Sequence, residues 1–223
     1  ARQLAGLLPG SLEETVTSIE AVGGVALPVR CDVSSEKDVV GMVDAALANF
    51  GKIDILVSNA GIFPRFKTLE VAPEMYEAVF RVNMLGPYLC AKHVLPHMMK
   101  RGIGSVINIT TGSPNQRETA SLKAAQGILC YSTTKRGLNR QTEILAREVA
   151  EHGVAVNALA PGMILTEGGI ETNASDYDFE GEFPRNPCTP EFVGPPVLYL
   201  AGVTPDVMTG QIVFAVQFGD KWG

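Results

Sequence analysis

Tyr131 and Lys135, in the stretch Tyr131-Ser-Thr-Thr-Lys135, can exchange protons as a pair. On a helix, residues i and i+4 share a face, so this spacing sets a phenol beside an ammonium. A free tyrosine has a pKa near ~10, too high for ready proton exchange at neutral pH, and a neighbouring cation favours its phenolate. Bringing that value toward ~7 takes roughly 4 kcal/mol of differential stabilisation. A lysine in a partly desolvated cleft can supply that order of energy. The same pattern also occurs as an ordinary surface pair, so its meaning depends on the elements that carry it.

Those elements alternate. Ser11 with Glu14 forms a capping box ahead of Leu12, Val16 and Ile19. Val25–Arg30 reads as a strand. Ser35 caps a helix running to Phe50, which Gly51 stops. Ile53–Ser58 is nearly all apolar, as a strand buried on both faces requires. Pro73 suits the first turn of a helix reaching about Met99, and Pro87 and Pro96 within it predict a kink or a break. Ser105–Thr110 reads as a strand, Cys130–Glu151 as a helix, Val154–Leu159 as a strand, Pro190–Leu200 as a helix and Gln211–Val216 as a closing strand. Strands separated by helices of this length imply parallel crossovers and an α/β fold, a doubly wound sheet with helices on both faces. No repeat or linker interrupts the chain, so residues 1–223 form one domain. The least regular stretch, Gly168–Thr189, has the length of a lid or binding loop.

Composition removes several classes of function. With 46% hydrophobic and 19% charged residues, the 223-residue chain is neither disordered nor fibrous. A net charge of −6 and a pI near 5.1 leave no basic footprint for nucleic acid. No apolar run is long enough for a membrane span, and no signal peptide opens the chain. Cys31, Cys90, Cys130 and Cys188 are scattered without a CxxC, and read as free thiols of a reducing, cytoplasmic compartment. Of the histidines, His93, His97 and His152, only the first two share a helix face, and no carboxylate sits at ligand spacing beside them, so no metal site is expected.

Further motifs surround the tyrosine–lysine pair. Ile53–Ser58 ends in Ser58-Asn59-Ala60-Gly61. Asn83 lies in a helix, within Val82-Asn83-Met84. Ser105–Thr111 reads S-V-I-N-I-T-T, and Pro161-Gly162-Met163-Ile164-Leu165-Thr166 follows Val154–Leu159. In this order and at these intervals, the set resembles the short-chain dehydrogenase/reductase family over nearly the whole chain. The resemblance implies an NAD(P)-dependent oxidoreductase with a Rossmann-type sheet, assembled as a homodimer or homotetramer. Tyr131 would be the general acid/base toward the substrate oxygen. Lys135 would lower its pKa and hold the nicotinamide ribose. Asn83 would anchor a water in a proton relay. Asp32 and Val33 would sit at the adenine, and Asn59, Ala60 and Gly61 along the adenosine side of the cleft. Pro161, Gly162, Ile164 and Thr166 would frame the nicotinamide amide.

The chain departs from the family pattern in two places. Where the family usually has a serine after the strand, this chain has Thr111, and the interval to Tyr131 is longer than usual. Ser113–Ala125 therefore reads as an insertion. Thr111 can bond a substrate oxygen as serine does, and Ser113 is the second candidate. The family's glycine-rich phosphate turn, G-x-x-x-G-x-G, is also missing. A pyrophosphate needs close backbone approach and a helix N-terminus. The expectation is that an N-terminal segment precedes Ala1. The alternative is a truncated, non-catalytic binding or scaffold protein. Arg2, with no acid before Gly10, favours the 2′-phosphate of NADP over NAD. The expected partner is a small carbonyl or alcohol substrate, walled by residues 113–125 and a loop at about 163–190. A decarboxylating or epimerising relative could share the same fold.

Overall fold

The computed structural model describes residues 11–112, 127–162, 164 and 189–223. Their centre is a parallel four-stranded sheet in the order β1-β2-β3-β4, with β1 Ile55–Ser58, β2 Gly104–Ile109, β3 Val154–Ala160 and β4 Ile212–Phe214. β2 and β3 run in register from Gly104 beside Val154 to Ile109 beside Leu159. Parallel strands need long crossovers, and helices supply them. They are α1 Leu12–Ala21, α2 Glu36–Phe50, α3 Pro73–Phe80, α4 Gly86–Arg101, α5 Leu129–Val149 and α6 Gly194–Gly202.

The period of two along each strand sorts residues to the two faces of the sheet. Val106 and Val156 join Val39, Val43, Leu89, Val94, Met98 and Ala146 under α2, α4 and α5. Ile107 and Leu159 point the other way, packing with Leu200 of α6, Val213 and Ala215. On the α5 face the strand then turns polar. Above Val106, Asn108 Nδ2 donates to Thr142 Oγ1 of α5 at 2.9 Å. Thr110 stands one step higher, just past the strand's end. A doubly wound arrangement is therefore present, and it brings β2 and the start of α5 to the same end of the sheet.

The capping box forms as expected: the Glu14 main-chain N–H donates to Ser11 Oγ, and Ser11 N–H donates to Glu14 Oε2. Three expectations need correction. Val25–Arg30 is extended but is not a strand, because no described residue pairs with it. A β-rich run becomes a strand only where a neighbour completes the ladder. β1 is not buried on both faces. It lies at one edge of the described sheet, where Ile55 and Val57 are 44% and 41% exposed. Finally, Pro87 and Pro96 do not break the helix, and the interruption expected near Pro87 takes the form of a π turn. A π-helical turn, Arg81–Leu85, joins α3 to α4, and Gly86 N–H donates back to Arg81 O across it. Pro87 follows directly on this π turn, where the regular i→i−4 ladder is already interrupted, and Pro96 is accommodated inside α4.

Candidate active site

Tyr131 and Lys135 lie in the first two turns of α5. Lys135 Nζ is 5.7 Å from the centre of the Tyr131 ring, and the edge of Phe63 meets that ring at 4.4 Å between centroids. The i, i+4 spacing thus does what the sequence implied, with the phenol half-buried and the lysine almost fully buried. Nζ donates to Ile109 O at the end of β2, at 2.7 Å. Burial pushes the ammonium down from 10.5 to about 8, because an ion loses hydration there.

Asn83 projects from the π turn and is completely buried. Its Oδ1 accepts from Ile62 N–H at 2.9 Å, and its Nδ2 donates to Ile62 O at 3.0 Å and to Thr134 Oγ1 at 3.2 Å. Thr134 Oγ1 in turn donates to Tyr131 O at 2.8 Å. One amide therefore fastens the segment after β1 to the helix that carries the tyrosine. Both of its hydrogens are used on protein acceptors. The π turn is what aims this side chain inward, since an extra residue in the turn rotates the side chains that follow it.

Asn59–Gly61, Thr111 and Pro161–Gly162 follow the ends of β1, β2 and β3, at the same end of the sheet. Asn59 N–H donates to Val57 O in a tight turn at the end of β1, and Asn59, Ala60 and Gly61 are open to solvent. A β-carbon on Gly61 would stand 3.4 Å from Asn83 Oδ1 and 3.6 Å from Lys135 Nζ. Gly61 therefore passes within van der Waals reach of both Asn83 and the ammonium. Gly162 follows β3 with φ +86°, a conformation other L-residues rarely adopt, and Pro161 and Ile164 beside it are half-buried. Asp32 Oδ1 accepts from Ser34 N–H and Ser34 Oγ, and these bonds hold its carboxyl below the usual range. Val33 packs on α4 at Gly86, where an added β-carbon would meet Val33 Cγ2 at 2.8 Å. Thr111 is half-buried just beyond β2. Arg2, Ser113, Thr166, the Ser113–Ala125 insertion and most of the 163–190 loop lie outside the described residues. Among the described residues no three His, Cys, Asp or Glu side chains cluster as a metal site, and Cys31, Cys90 and Cys130 are free thiols. No helix among them is long and apolar enough to cross a membrane.

Sequence reasoning did not find Thr110, Asn139, Ile62 or Phe63. Ile62 and Ile109 act through main-chain atoms, which carry no residue-type signal.

Residues 4–176 match the family model described as short chain dehydrogenase. This chain belongs to the short-chain dehydrogenase family. Relatives that it matches are named as dehydrogenases and reductases, in agreement with the motif resemblance. Glucose 1-dehydrogenase 2 of Bacillus subtilis (strain 168) is 36% identical over 174 residues, which are 75% of this chain and 63% of that enzyme. The L-rhamnose 1-dehydrogenase (NAD(P)(+)) of Sphingomonas sp. (strain SKA58) is 30% identical over 206 residues, 90% of this chain and 78% of the relative. A short-chain type dehydrogenase/reductase from Mycobacterium marinum superposes with a TM-score of 0.81 at 31% identity, covering 91% of this chain and 79% of that one. The short-chain dehydrogenase chain described here thus spans just under two thirds of the length of the first of these relatives.

Proposed function

We propose that this protein transfers a hydride between a nicotinamide cofactor and a carbonyl or secondary alcohol carbon, with Tyr131 as general acid/base. The observation that carries this reading is the buried Lys135 ammonium beside the Tyr131 ring, at the end of β2 and under the bare backbone of Gly61. When bound, the nicotinamide supplies or accepts the hydride. In the reducing direction the Tyr131 hydroxyl gives its proton to the substrate oxygen, and in the oxidising direction the phenolate takes it back. Lys135 stabilises the phenolate and donates to the ribose hydroxyls. Thr111, or Ser113, donates to the substrate oxygen and orients it.

Asn83 acts by position. With both amide hydrogens committed, a relay water could meet it only at a carbonyl oxygen. Asp32 and Val33 serve the adenine, Asn59, Ala60 and Gly61 the adenosine side, and Pro161, Gly162, Ile164 and Thr166 the carboxamide. Arg2 favours NADP over NAD by matching a 2′-phosphate. The partners are a small-molecule substrate and a second copy of the chain, in a dimer or tetramer built on α4 and α5. The compartment that suits its free thiols is the cytoplasm.

Tyr131→Phe tests the reading. It removes only a hydroxyl, and turnover should fall at least ~10²-fold while NADPH titration by fluorescence stays nearly unchanged. If the protein binds neither NADPH nor NADH, the binding or scaffold alternative replaces this one. A Tyr131→Phe variant keeping more than about a third of turnover would take Tyr131 out of the mechanism.

A further inference from the structure

We propose that Thr110 and Asn139 form a latch that sets the position of Lys135, and through it Tyr131, relative to the end of β2. Both act as positioning residues for the oxidoreductase reading above, on which the proposal rests; neither reaches the reacting atoms. Thr110 Oγ1 lies 2.5 Å from Asn139 Oδ1 and 3.2 Å from Lys135 O, with Thr110 2% and Asn139 7% exposed. The shorter separation belongs to the O–H···O range, so the hydroxyl proton goes mainly to Asn139 and the Lys135 carbonyl takes a weaker share.

The neighbouring bonds give this pair its leverage. Thr110 N–H donates to Leu159 O at 2.9 Å, which ties Thr110 to β3 at the centre of the sheet. Ile109, the residue before it, accepts the Lys135 ammonium at 2.7 Å. Two consecutive residues therefore hold the lysine at both ends, one by its carbonyl and one by its Nζ. Thr111, the candidate for orienting the substrate oxygen, comes next in the chain. Asn139 is one turn beyond Lys135 and two turns beyond Tyr131, so it shares their face of α5. The latch thus fixes the separation between the group that binds the substrate oxygen and the group that protonates it. A misplacement of about an ångström at such a site is enough to slow the chemical step severely.

The molecule contains its own control. Asn108 and Thr142 join the same strand to the same helix at 2.9 Å, one step farther from the site. If buried polar pairs between β2 and α5 serve only stability, the two pairs are equivalent. If the upper pair positions Lys135, only its loss alters catalysis.

The test compares Thr110→Val, Thr110→Ser, Asn139→Ala and Thr142→Val, with Tyr131→Phe in parallel. NADPH oxidation with 2,3-butanedione reports turnover, the reverse reaction with 2,3-butanediol gives the pH profile, and thermal unfolding gives stability. Thr110→Val should lower kcat at least ~10-fold, with KM for the diketone within about twofold. The limb for alcohol oxidation should move to higher pH by roughly half a unit, because the ammonium is less well held beside the phenol. Thr110→Ser should restore both. Thr142→Val should lose comparable stability yet keep kcat within about twofold and an unmoved profile. Equal effects of Thr110→Val and Thr142→Val on kcat, or an unshifted profile in Thr110→Val, would overturn the latch. If Thr110→Val does not fold, Asn139→Ala decides, and wild-type kcat and profile there would sink the proposal. A fully active Tyr131→Phe would instead overturn the reaction assignment, a separate failure.

Discussion

The Lys135 ammonium donates to the Ile109 carbonyl at 2.7 Å, and this bond fastens the charged end of α5 to the end of β2. The cation is thereby kept next to the Tyr131 ring instead of extending into solvent. Burial at this point costs stability, and that cost has a sign that can be measured.

Lys135→Met should raise stability and lower function together. The ammonium is depressed in the folded protein from 10.5 to about 8, a drop equivalent to roughly 3 kcal/mol before the bond to Ile109 offsets part of it. For a lysine with a lowered folded pKa, the penalty is complete below pH 8. It shrinks as pH rises from there toward 10.5, where the unfolded chain also loses its proton. Denaturant unfolding should therefore show the variant more stable than wild type at pH 7, by up to about 3 kcal/mol, with the difference fading toward pH 10. Turnover and cofactor affinity should both fall. If only turnover fell, Lys135 would not hold the ribose.

Asn83→Ala should destabilise the protein by about 3 kcal/mol, read as a shifted denaturant midpoint. The substitution leaves the part-buried N–H and C=O of Ile62 without their partner and frees Thr134 from its link to the π turn. Asn83→Asp keeps the acceptor for Ile62 N–H but loses both donors, so it should recover only part of that stability. Full recovery would mean that the bonds donated by Nδ2 contribute nothing.

Thr111→Ala and Ser113→Ala divide the oxygen-orienting role. Removing the true donor should cost ~10-fold or more in kcat/KM, about 1.4 kcal/mol, and removing the other should cost little. Steady-state kinetics on both variants decides, and equal small effects would exclude both residues.

Cofactor choice is tested at Arg2. A guanidinium matches a 2′-phosphate, so the protein should bind NADPH ~10-fold or more tightly than NADH, equivalent to ~1.4 kcal/mol. Arg2→Ala should erase most of that preference, and added salt should reduce it in the wild type. Fluorescence titration with both nucleotides at two salt concentrations measures this, and an NADH preference would make Arg2 an ordinary surface residue.

Much of the site was legible because it depends on local rules. The i, i+4 spacing of Tyr131 and Lys135 on α5 is dictated by helix geometry alone, and the face they share persists in the fold. The capping box at Ser11 and Glu14 is satisfied within four residues. The parallel sheet followed from strands alternating with helices, and its β2 and β3 were found within a residue of their ends. What local rules could not decide are matters of neighbours. Val25–Arg30 has the composition of a strand but no partner among the described residues, and Ile55 and Val57 have the composition of a buried strand but lie at an edge of the described sheet. Propensity describes one chain segment, whereas a ladder and a buried face each need two. The same holds within the site. Only the tertiary structure brings Thr110 to Asn139, Asn83 to Ile62, and Lys135 to a main-chain carbonyl 26 positions away. Each of those bonds joins groups that are distant in the chain, and two of the three use a backbone atom that every residue possesses. Residue type marks which side chains can do the chemistry; burial between strand and helix determines which of them are held still enough to do it.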